Sequence, residues 1–187
     1  MIIIINEHIR LEETAPQHAV GLLEAVNANR EHLARFLPWV GAMQTTADFD
    51  GYITQCRQRA EQGTEISFVI YRDDVIAGRI GLHYINAANK TGAIGYWLTQ
   101  AAAGHGIMLN SCRKVIEFGF TVLQLHRIEI KAAVHNVKSQ AVPEKLGFTR
   151  EGILRESEWV NGEAFNIVVY SLLKREWEAQ QANSKDC

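Results

Sequence analysis

Cysteine is scarce in this chain, and its spacing argues against a disulfide framework. Only three cysteines occur among 187 residues, and they lie far apart. Small secreted domains that depend on disulfides carry cysteine at a much higher density. Cys56 and Cys112 each fall on the apolar face of a helical pattern, which predicts buried thiols rather than a disulfide or a nucleophile. The sequence therefore indicates a protein of the reducing cytoplasm.

Long hydrophobic runs and an excess of one charge are also missing. The apolar segment Met1–Ile5 has no basic segment or cleavage site beside it, which favours a strand over a signal peptide. No run approaches the roughly 20 residues that a membrane helix needs. The formal net charge of −2 predicts no broad basic surface, although totals hide local clusters. We expect neither a membrane nor a nucleic acid as a direct partner.

Metal-ligand spacing is absent as well. The seven histidines form no H-x-x-x-H pair, and no C-x-x-C pair occurs, so we expect no metal site. No Cys–His or Ser–His combination stands out as a nucleophile with its base. This favours direct transfer between two bound substrates over a covalent enzyme intermediate.

The patterns that are present predict one domain, 1–187, with a polar tail after about Glu178 that is expected to be flexible. Hydrophobic periodicity gives the order strand, two helices, helix, three strands, helix, strand, helix and two strands. This order is not that of a doubly wound fold. It predicts an α/β fold of the α+β kind, with a mixed, largely antiparallel central sheet, helices on both faces and strands that splay at a cofactor site.

Local signals set several boundaries. The run from Ile2 to Leu11 predicts a first strand, and Thr14 is expected to cap the helix that follows. Thr45 or Thr46 is expected to cap a later helix. A short helix is expected from Ser139 to Leu146. The dipeptide Asn161-Gly162 between two apolar runs is typical of a type I′ hairpin turn.

The loop Gly104-His105-Gly106 is the most informative segment. It follows a strand-like run that ends at Leu98 and opens a helical pattern at Met108. A helix N-terminus behind a glycine-bearing loop exposes backbone N–H groups that suit a phosphate or diphosphate. An ordinary tight turn is the alternative. The segment is neither a P-loop, because no Gly-Lys-Ser/Thr follows, nor a dinucleotide fingerprint, because the third glycine is missing.

The loop resembles the diphosphate loop of the GNAT acetyltransferase superfamily, whose pattern is Arg/Gln-x-x-Gly-x-Gly/Ala. Gly106 takes the central glycine and Met108 the last position, while Ala103 stands where Arg or Gln is usual. The resemblance runs from about Leu11 to Trp177 in the order seen in Rim-type ribosomal-protein N-terminal acetyltransferases. The other segments that carry it are Ile94–Leu98, Asn136–Ser139, Lys145–Phe148 and Gly152–Arg155.

This resemblance implies acetyl-CoA as cosubstrate and assigns residues to hold it. A backbone N–H of the segment Tyr96 to Thr99 would polarise the acetyl carbonyl, whereas sheet packing is the favoured role of the Tyr96 and Trp97 side chains. His105 lies within the loop, where its ring would stack or hydrogen-bond near the phosphate. Exposure to solvent without such a contact is the alternative, and the favoured one. The implied cofactor-binding residues are Trp97, Leu98, Ala103, Gly104, His105, Gly106, Ile107, Met108, Asn136, Lys138 and Ser139.

Two side chains are the candidates for catalysis. Glu158 is expected to act as the general base, and its neighbour Trp159 would shield it from water and so improve it as a base near neutral pH. Regular alternation would place Glu156 on the same face. A solvated hairpin carboxylate is the alternative for Glu158. In the resembling enzymes a serine at the position of Ser139 lies near the CoA sulfur and protonates the thiolate; a helix cap is its alternative role.

The acceptor side is the least determined. The resemblance implies that Phe36, Trp39 and Trp159 border the substrate groove, whereas core packing explains Phe36 and Trp39 equally well. The expected function is acetyl transfer to a protein N-terminus, foremost of a ribosomal protein. Alternatives are transfer to a small amine (a polyamine, an amino acid or a drug) and a non-catalytic acetyl-CoA-binding regulatory module. A homodimer is compatible with each of these functions.

Overall fold

The computed structural model describes residues 1–183 and centres on one eight-stranded sheet with the order β1-β2-β3-β4-β5-β6-β8-β7. Neighbouring strands are antiparallel except β5 and β6, which are parallel. The mixed, largely antiparallel sheet predicted from the sequence is confirmed. The strands are β1 (Ile2–Ile4), β2 (Ile9–Glu13), β3 (Ile66–Arg72), β4 (Val75–Asn86), β5 (Thr91–Leu98), β6 (Arg127–Ala133), β7 (Thr149–Val160) and β8 (Glu163–Leu173).

Helices cover both faces of this sheet, as the sequence predicts. The α-helices are α1 (Ala19–Asn27), α2 (Arg30–Ala34), α3 (Thr46–Glu61), α4 (Ile107–Thr121), α5 (Val137–Lys145) and α6 (Lys174–Asn183). Alternate residues of β3 separate the two cores: Phe68 packs in the core beneath α4, whereas Val69 packs in the core beneath α1 and α3. Cys56 and Cys112 are buried thiols, as predicted.

The N-terminal segment differs from the prediction in two ways. The expected single strand over Ile2 to Leu11 is a hairpin of β1 and β2, because the Asn6 carboxamide accepts the N–H groups of His8 and Ile9 at 3.0 and 2.8 Å and turns the chain. Thr14 caps no helix. Its buried hydroxyl accepts hydrogen bonds from Ser67 and from the buried guanidinium of Arg79.

Other local predictions are confirmed. The Thr45 hydroxyl accepts the Asp48 N–H at the start of α3, at 3.2 Å. The strands β3, β4 and β5 form the predicted antiparallel meander. Asn161 and Gly162 both have positive φ, 52° and 84°, as a type I′ turn requires.

The tail that was expected after about Glu178 is helical as far as Asn183, where α6 ends. The remaining residues, 184–187, lie outside the described residues.

The feature that positions the site is the divergence of β5 and β6. These parallel strands pair over only four residues each, Thr91–Ile94 with Arg127–Ile130. Beyond that point β5 stays paired with β4 as far as Leu98, and β6 stays paired with β8 as far as Ala133. Within the described sheet, a gap therefore opens between the carboxyl-terminal halves of the two strands. Backbone N–H and C=O groups of β5 face this gap without a partner strand.

None of the helices within residues 1–183 is both long and apolar enough to cross a membrane.

Candidate functional site

The candidate residues are brought together by the direction of three strands. β5 and β6 are parallel, and β7 runs the same way as β6 because β8 lies antiparallel between them. The carboxyl ends of β5, β6 and β7 therefore lie at one edge of the sheet. The glycine loop follows β5, Asn136 and Ser139 follow β6, and Glu158 lies near the end of β7. Ligands of open sheets commonly bind beyond the carboxyl ends of parallel strands.

The loop before α4 presents a row of free donors. Gly104 and Gly106 have positive φ, 86° and 71°, and Gly106 is the N-cap residue of α4. Among the described residues, the backbone N–H groups from Gly104 to Met108 donate to no protein acceptor. The first turn of α4 contains no acidic side chain, and no side chain caps it. A helix end left in this state attracts an anion.

Side chains of the loop contribute less than its backbone. Ile107 and Met108 are buried in the core, so their side chains do not face a ligand at this loop. The Ala103 N–H already donates to the Gln100 carbonyl at 3.3 Å. The exposed ring of His105 faces a shallow cavity of about 380 Å³ towards β2 and β3, which also includes His8 and Arg72. This cavity lies away from the gap between β5 and β6.

The end of β5 supplies backbone rather than reactive side chains. The Trp97 ring is 9% exposed and lies 6.2 Å from the Trp39 ring, centroid to centroid, so both pack beneath the helices α1 to α3. Leu98 is partly buried in the opposite core. The Thr99 N–H donates to the Ala77 carbonyl at 2.8 Å and is therefore not free for a ligand. The free backbone groups of this segment belong to the residues before Thr99.

Helix α5 begins at Val137 rather than Ser139, and its cap is Asn136. The Asn136 carboxamide oxygen accepts the Ser139 N–H at 3.2 Å. The Ser139 hydroxyl makes no cap bond and donates instead to the Tyr96 hydroxyl at 3.3 Å. The expected alternative role for Ser139, a helix cap, is thus wrong, because α5 begins before Ser139 and Asn136 is the residue that caps it.

Lys138 belongs to a small basic group at the mouth of the site. It is exposed in the first turn of α5, near His32 and Arg35 of the α2 region. Partial burial lowers the pKa of His32, and the charges of Lys138 and Arg35 lower it further. Positive charge therefore lies where α2 approaches the start of α5.

Glu158 is exposed near the end of β7 and lies opposite Phe165 of β8. Three residues of β7, 155–157, stand opposite the single residue Asn166, so the strand bulges just before Glu158. Glu156 has a φ of 49°, and its N–H donates to the Asn166 carboxamide oxygen at 2.8 Å. The expectation that Glu156 and Glu158 share a face assumed regular alternation of side chains along β7. That assumption is wrong, because alternation is interrupted at the bulge.

An aromatic group forms the wall beside Glu158. The His135 ring lies 4.3 Å from the Phe165 ring and 5.4 Å from the Phe36 ring, centroid to centroid. Trp159 is 68% exposed, so it does not shield Glu158 as expected. The Asn161 carboxamide N–H donates to the Ala34 carbonyl at 2.8 Å and ties the hairpin tip to α2.

Sequence reasoning missed three of these contributions: the hydroxyl of Tyr96, the ring of His135 and the side-chain bond of Asn161. A local signal existed only for His135, which directly precedes Asn136 in the segment that follows β6. Tyr96 and Asn161 act across sequence separations of 43 and 127 residues, which no local pattern reveals.

Replacing the cap of α5 separates the two residues at its start. Asn136→Ala removes the side-chain acceptor of the Ser139 N–H, and we expect it to destabilise the protein by about 1 kcal/mol. Ser139→Ala removes only the 3.3 Å bond to Tyr96, which the higher helix propensity of alanine offsets, and should cost less than half as much. Chemical unfolding of both variants, with the wild type as reference, measures the difference. A Ser139→Ala loss equal to that of Asn136→Ala would return the capping role to Ser139.

Comparison with known proteins extends the likeness over most of the chain. The putative ribosomal N-acetyltransferase YdaF of Bacillus subtilis (strain 168) is 36% identical over 181 residues, 95% of this chain and 97% of that protein. The ribosomal L7/L12 alpha-N-protein acetyltransferase RimL, solved in complex with coenzyme A, has a TM-score of 0.89 and 25% identity, covering 92% of this chain and 98% of that chain. The microcin C7 self-immunity acetyltransferase MccE, solved with acetyl-CoA and AMP, has a TM-score of 0.86 and 30% identity, covering 90% and 94%.

The family match covers most of the sheet and the edge at which β5 and β6 end. The sequence profile of the acetyltransferase (GNAT) domain matches residues 8–149, from the start of β2 to the start of β7. This range includes the loop before α4, the diverging strands β5 and β6, and Ser139. The chain is a member of the GNAT acetyltransferase family.

Proposed function

We propose that this protein transfers the acetyl group of acetyl-CoA to the α-amine of a protein N-terminus, and that the acceptor is a ribosomal protein. One observation carries the proposal. The gap between β5 and β6 opens at the edge that holds the free N–H groups before α4 on one side and the Ser139 hydroxyl on the other. An extended, anionic thioester fits such a gap end to end.

The residues present fit the cofactor. Five successive N–H groups, Gly104 to Met108, would hold the diphosphate, with the positive end of the α4 dipole behind them. A Cβ added to Gly104 or Gly106 would meet no atom of the described residues within 4 Å, so the space above both glycines is open to a ligand. The unpaired edge of β5 would bind the amides of the pantetheine arm by main-chain hydrogen bonds, with Asn136 and Lys138 flanking it at the start of α5.

The transfer needs a base and an acid. Glu158 takes a proton from the acceptor ammonium, and the neutral amine then attacks the acetyl carbonyl carbon. The C–N bond forms, the C–S bond breaks and its electron pair passes to sulfur, while the second amine proton leaves to water. Ser139 gives its hydroxyl proton to the thiolate and regains one from solvent, as Glu158 releases its proton. The products are an N-acetyl amide and the thiol of CoA.

The walls of the groove favour a peptide end over a polyamine. Phe36, His135 and Phe165 form an aromatic wall on the acceptor side, suited to the first side chains of a peptide. Lys138 carries positive charge at the start of α5, and so does Arg35 at the end of α2, which also pairs with Glu31 at 3.4 Å. A peptide N-terminus brings one ammonium group, whereas a polyamine brings several that these cations would repel.

A transfer assay with acetyl-CoA tests the function. The acceptors are N-terminal peptides of ribosomal proteins, with spermidine and a free amino acid for comparison, and tandem mass spectrometry locates the acetyl group. We expect acetylation of the α-amine of at least one ribosomal peptide, at a higher kcat/KM than for spermidine. The matched control is the same peptide with a blocked N-terminus and an internal lysine.

Two outcomes would contradict this. Preferred acetylation of spermidine or of the lysine side chain would make the protein an acetyltransferase of another acceptor class. Tight binding of acetyl-CoA by calorimetry without transfer to any acceptor would make it a non-catalytic acetyl-CoA-binding module.

The loop before α4 is tested by Gly106→Val. At a φ of 71°, valine is strained, and its methyl groups enter the space proposed for the diphosphate. We expect the affinity for acetyl-CoA to fall by roughly tenfold or more, since at least one anion contact is lost. Gly63→Val is the control, because Gly63 has a φ of 69° and lies after α3, away from the site. Both variants should lose similar thermal stability, and wild-type affinity in a folded Gly106→Val protein would remove the loop from the cofactor site.

The base is tested by Glu158→Gln, which keeps the shape and removes the proton acceptor. We expect kcat to fall by roughly 10²-fold near neutral pH and to recover partly at higher pH, where the α-amine, with a pKa of about 8, loses its proton unaided. Glu156→Gln is the control, because it removes a carboxylate from the same strand within the bulge. An unchanged pH–rate profile with only a raised KM for the acceptor would make Glu158 a binding residue.

A further inference from the structure

Tyr96 spans the gap at the centre of the proposed active site. Its ring is partly buried in the core on the α4 side of β5, and its hydroxyl reaches the first turn of α5. That hydroxyl donates to the Ser139 carbonyl at 3.0 Å and accepts from the Ser139 hydroxyl at 3.3 Å. One phenol therefore contacts both the backbone and the side chain of the same serine.

The orientation of the Ser139 hydroxyl depends on this contact. Asn136 fixes the Ser139 N–H. Within the described residues, however, the Ser139 hydroxyl oxygen has no polar partner other than Tyr96. A serine side chain otherwise exchanges among three staggered rotamers. A proton donor that must meet a developing thiolate loses efficiency when it spends part of its time pointing elsewhere.

Tyr96 is suited to holding Ser139 and unsuited to replacing it. Burial raises the pKa of Tyr96 above its ordinary value, and the neighbouring Cys112 raises it further. The phenol therefore keeps its proton throughout the working pH range. Its proton is donated to the Ser139 carbonyl, so the phenol faces the Ser139 hydroxyl as an acceptor.

We propose that Tyr96 is the positioning residue for the general acid: one hydrogen bond to the Ser139 carbonyl and one from the Ser139 hydroxyl hold the hydroxyl oxygen where the CoA thiolate forms. Once the C–S bond has broken, the hydroxyl proton turns from Tyr96 to the thiolate sulfur. This rests on the proposed function, because it assumes that Ser139 protonates the thiolate. It assigns to a strand residue a role in the reaction that sheet packing does not supply.

The chain contains a matched control. Tyr170 of β8 is also buried, and its hydroxyl also reaches α5, where it lies 3.2 Å from the Gln140 side-chain oxygen and 3.0 Å from a Glu144 carboxylate oxygen. Tyr170→Phe therefore loosens the same helix from the same sheet without removing a bond to Ser139.

The test is Tyr96→Phe, alone and combined with Ser139→Ala. Tyr96→Phe should lower kcat by roughly tenfold, the effect of losing the one hydrogen bond that orients the Ser139 hydroxyl. The KM for acetyl-CoA should change little. The double variant should have the kcat of Ser139→Ala, because Tyr96 acts only through Ser139. Tyr170→Phe should keep the wild-type kcat while losing a similar amount of thermal stability.

Each contrary result has one meaning. Wild-type kcat in Tyr96→Phe, effects that multiply in the double variant, or an equal loss of kcat in Tyr170→Phe would overturn the positioning role. Wild-type kcat in Ser139→Ala would instead remove the acid from the proposed function. A crystal structure of Tyr96→Phe gives a readout that needs no activity: a Ser139 hydroxyl that keeps its wild-type direction would overturn the proposal.

Discussion

The divergence of β5 and β6 is the constraint on which the rest of the site depends. In a continuous sheet each strand satisfies the backbone groups of its neighbours, so two strands that separate leave donors and acceptors exposed. Here the cost is limited, because β4 and β8 keep the outer edges of both strands paired as far as Leu98 and Ala133. The exposed inner edges can then serve a ligand. The loop before α4 and the start of α5 are placed at the two sides of the opening by the same divergence.

Parts of this arrangement follow from short stretches of sequence. Glycines at 104 and 106 and the Asn161-Gly162 pair are required by positive φ angles, which the structure has at all four positions. The meander from β3 to β5 follows from alternating apolar runs separated by turn residues. Such features are readable because each depends on a few adjacent residues. The class of sheet and its opening beside the loop before α4 were also predictable, from the order of elements and from the family resemblance.

Other features depend on competition between nearby groups. Asn136 and Ser139 are both good capping residues three positions apart, and the sequence does not show at which of them the helix begins. Asn6 turned an expected single strand into a hairpin because one carboxamide accepted two N–H groups. At Glu156, the Asn166 side chain replaced a ladder bond and allowed the bulge. In each case a polar side chain competed with the regular backbone pattern, and the outcome depended on a partner fixed by the fold.

The tie between Asn161 and Ala34 also bears on the order in which the site is built. These residues are 127 positions apart, and Asn161 lies late in the chain. During synthesis, α4 and α5 have emerged before the β7–β8 hairpin exists, and β8 must still enter between β6 and β7. Domains with such distant contacts assemble them last. The loop before α4 and the start of α5 are thus formed from earlier segments, and the proposed acceptor wall is closed only when the last hairpin joins helix α2.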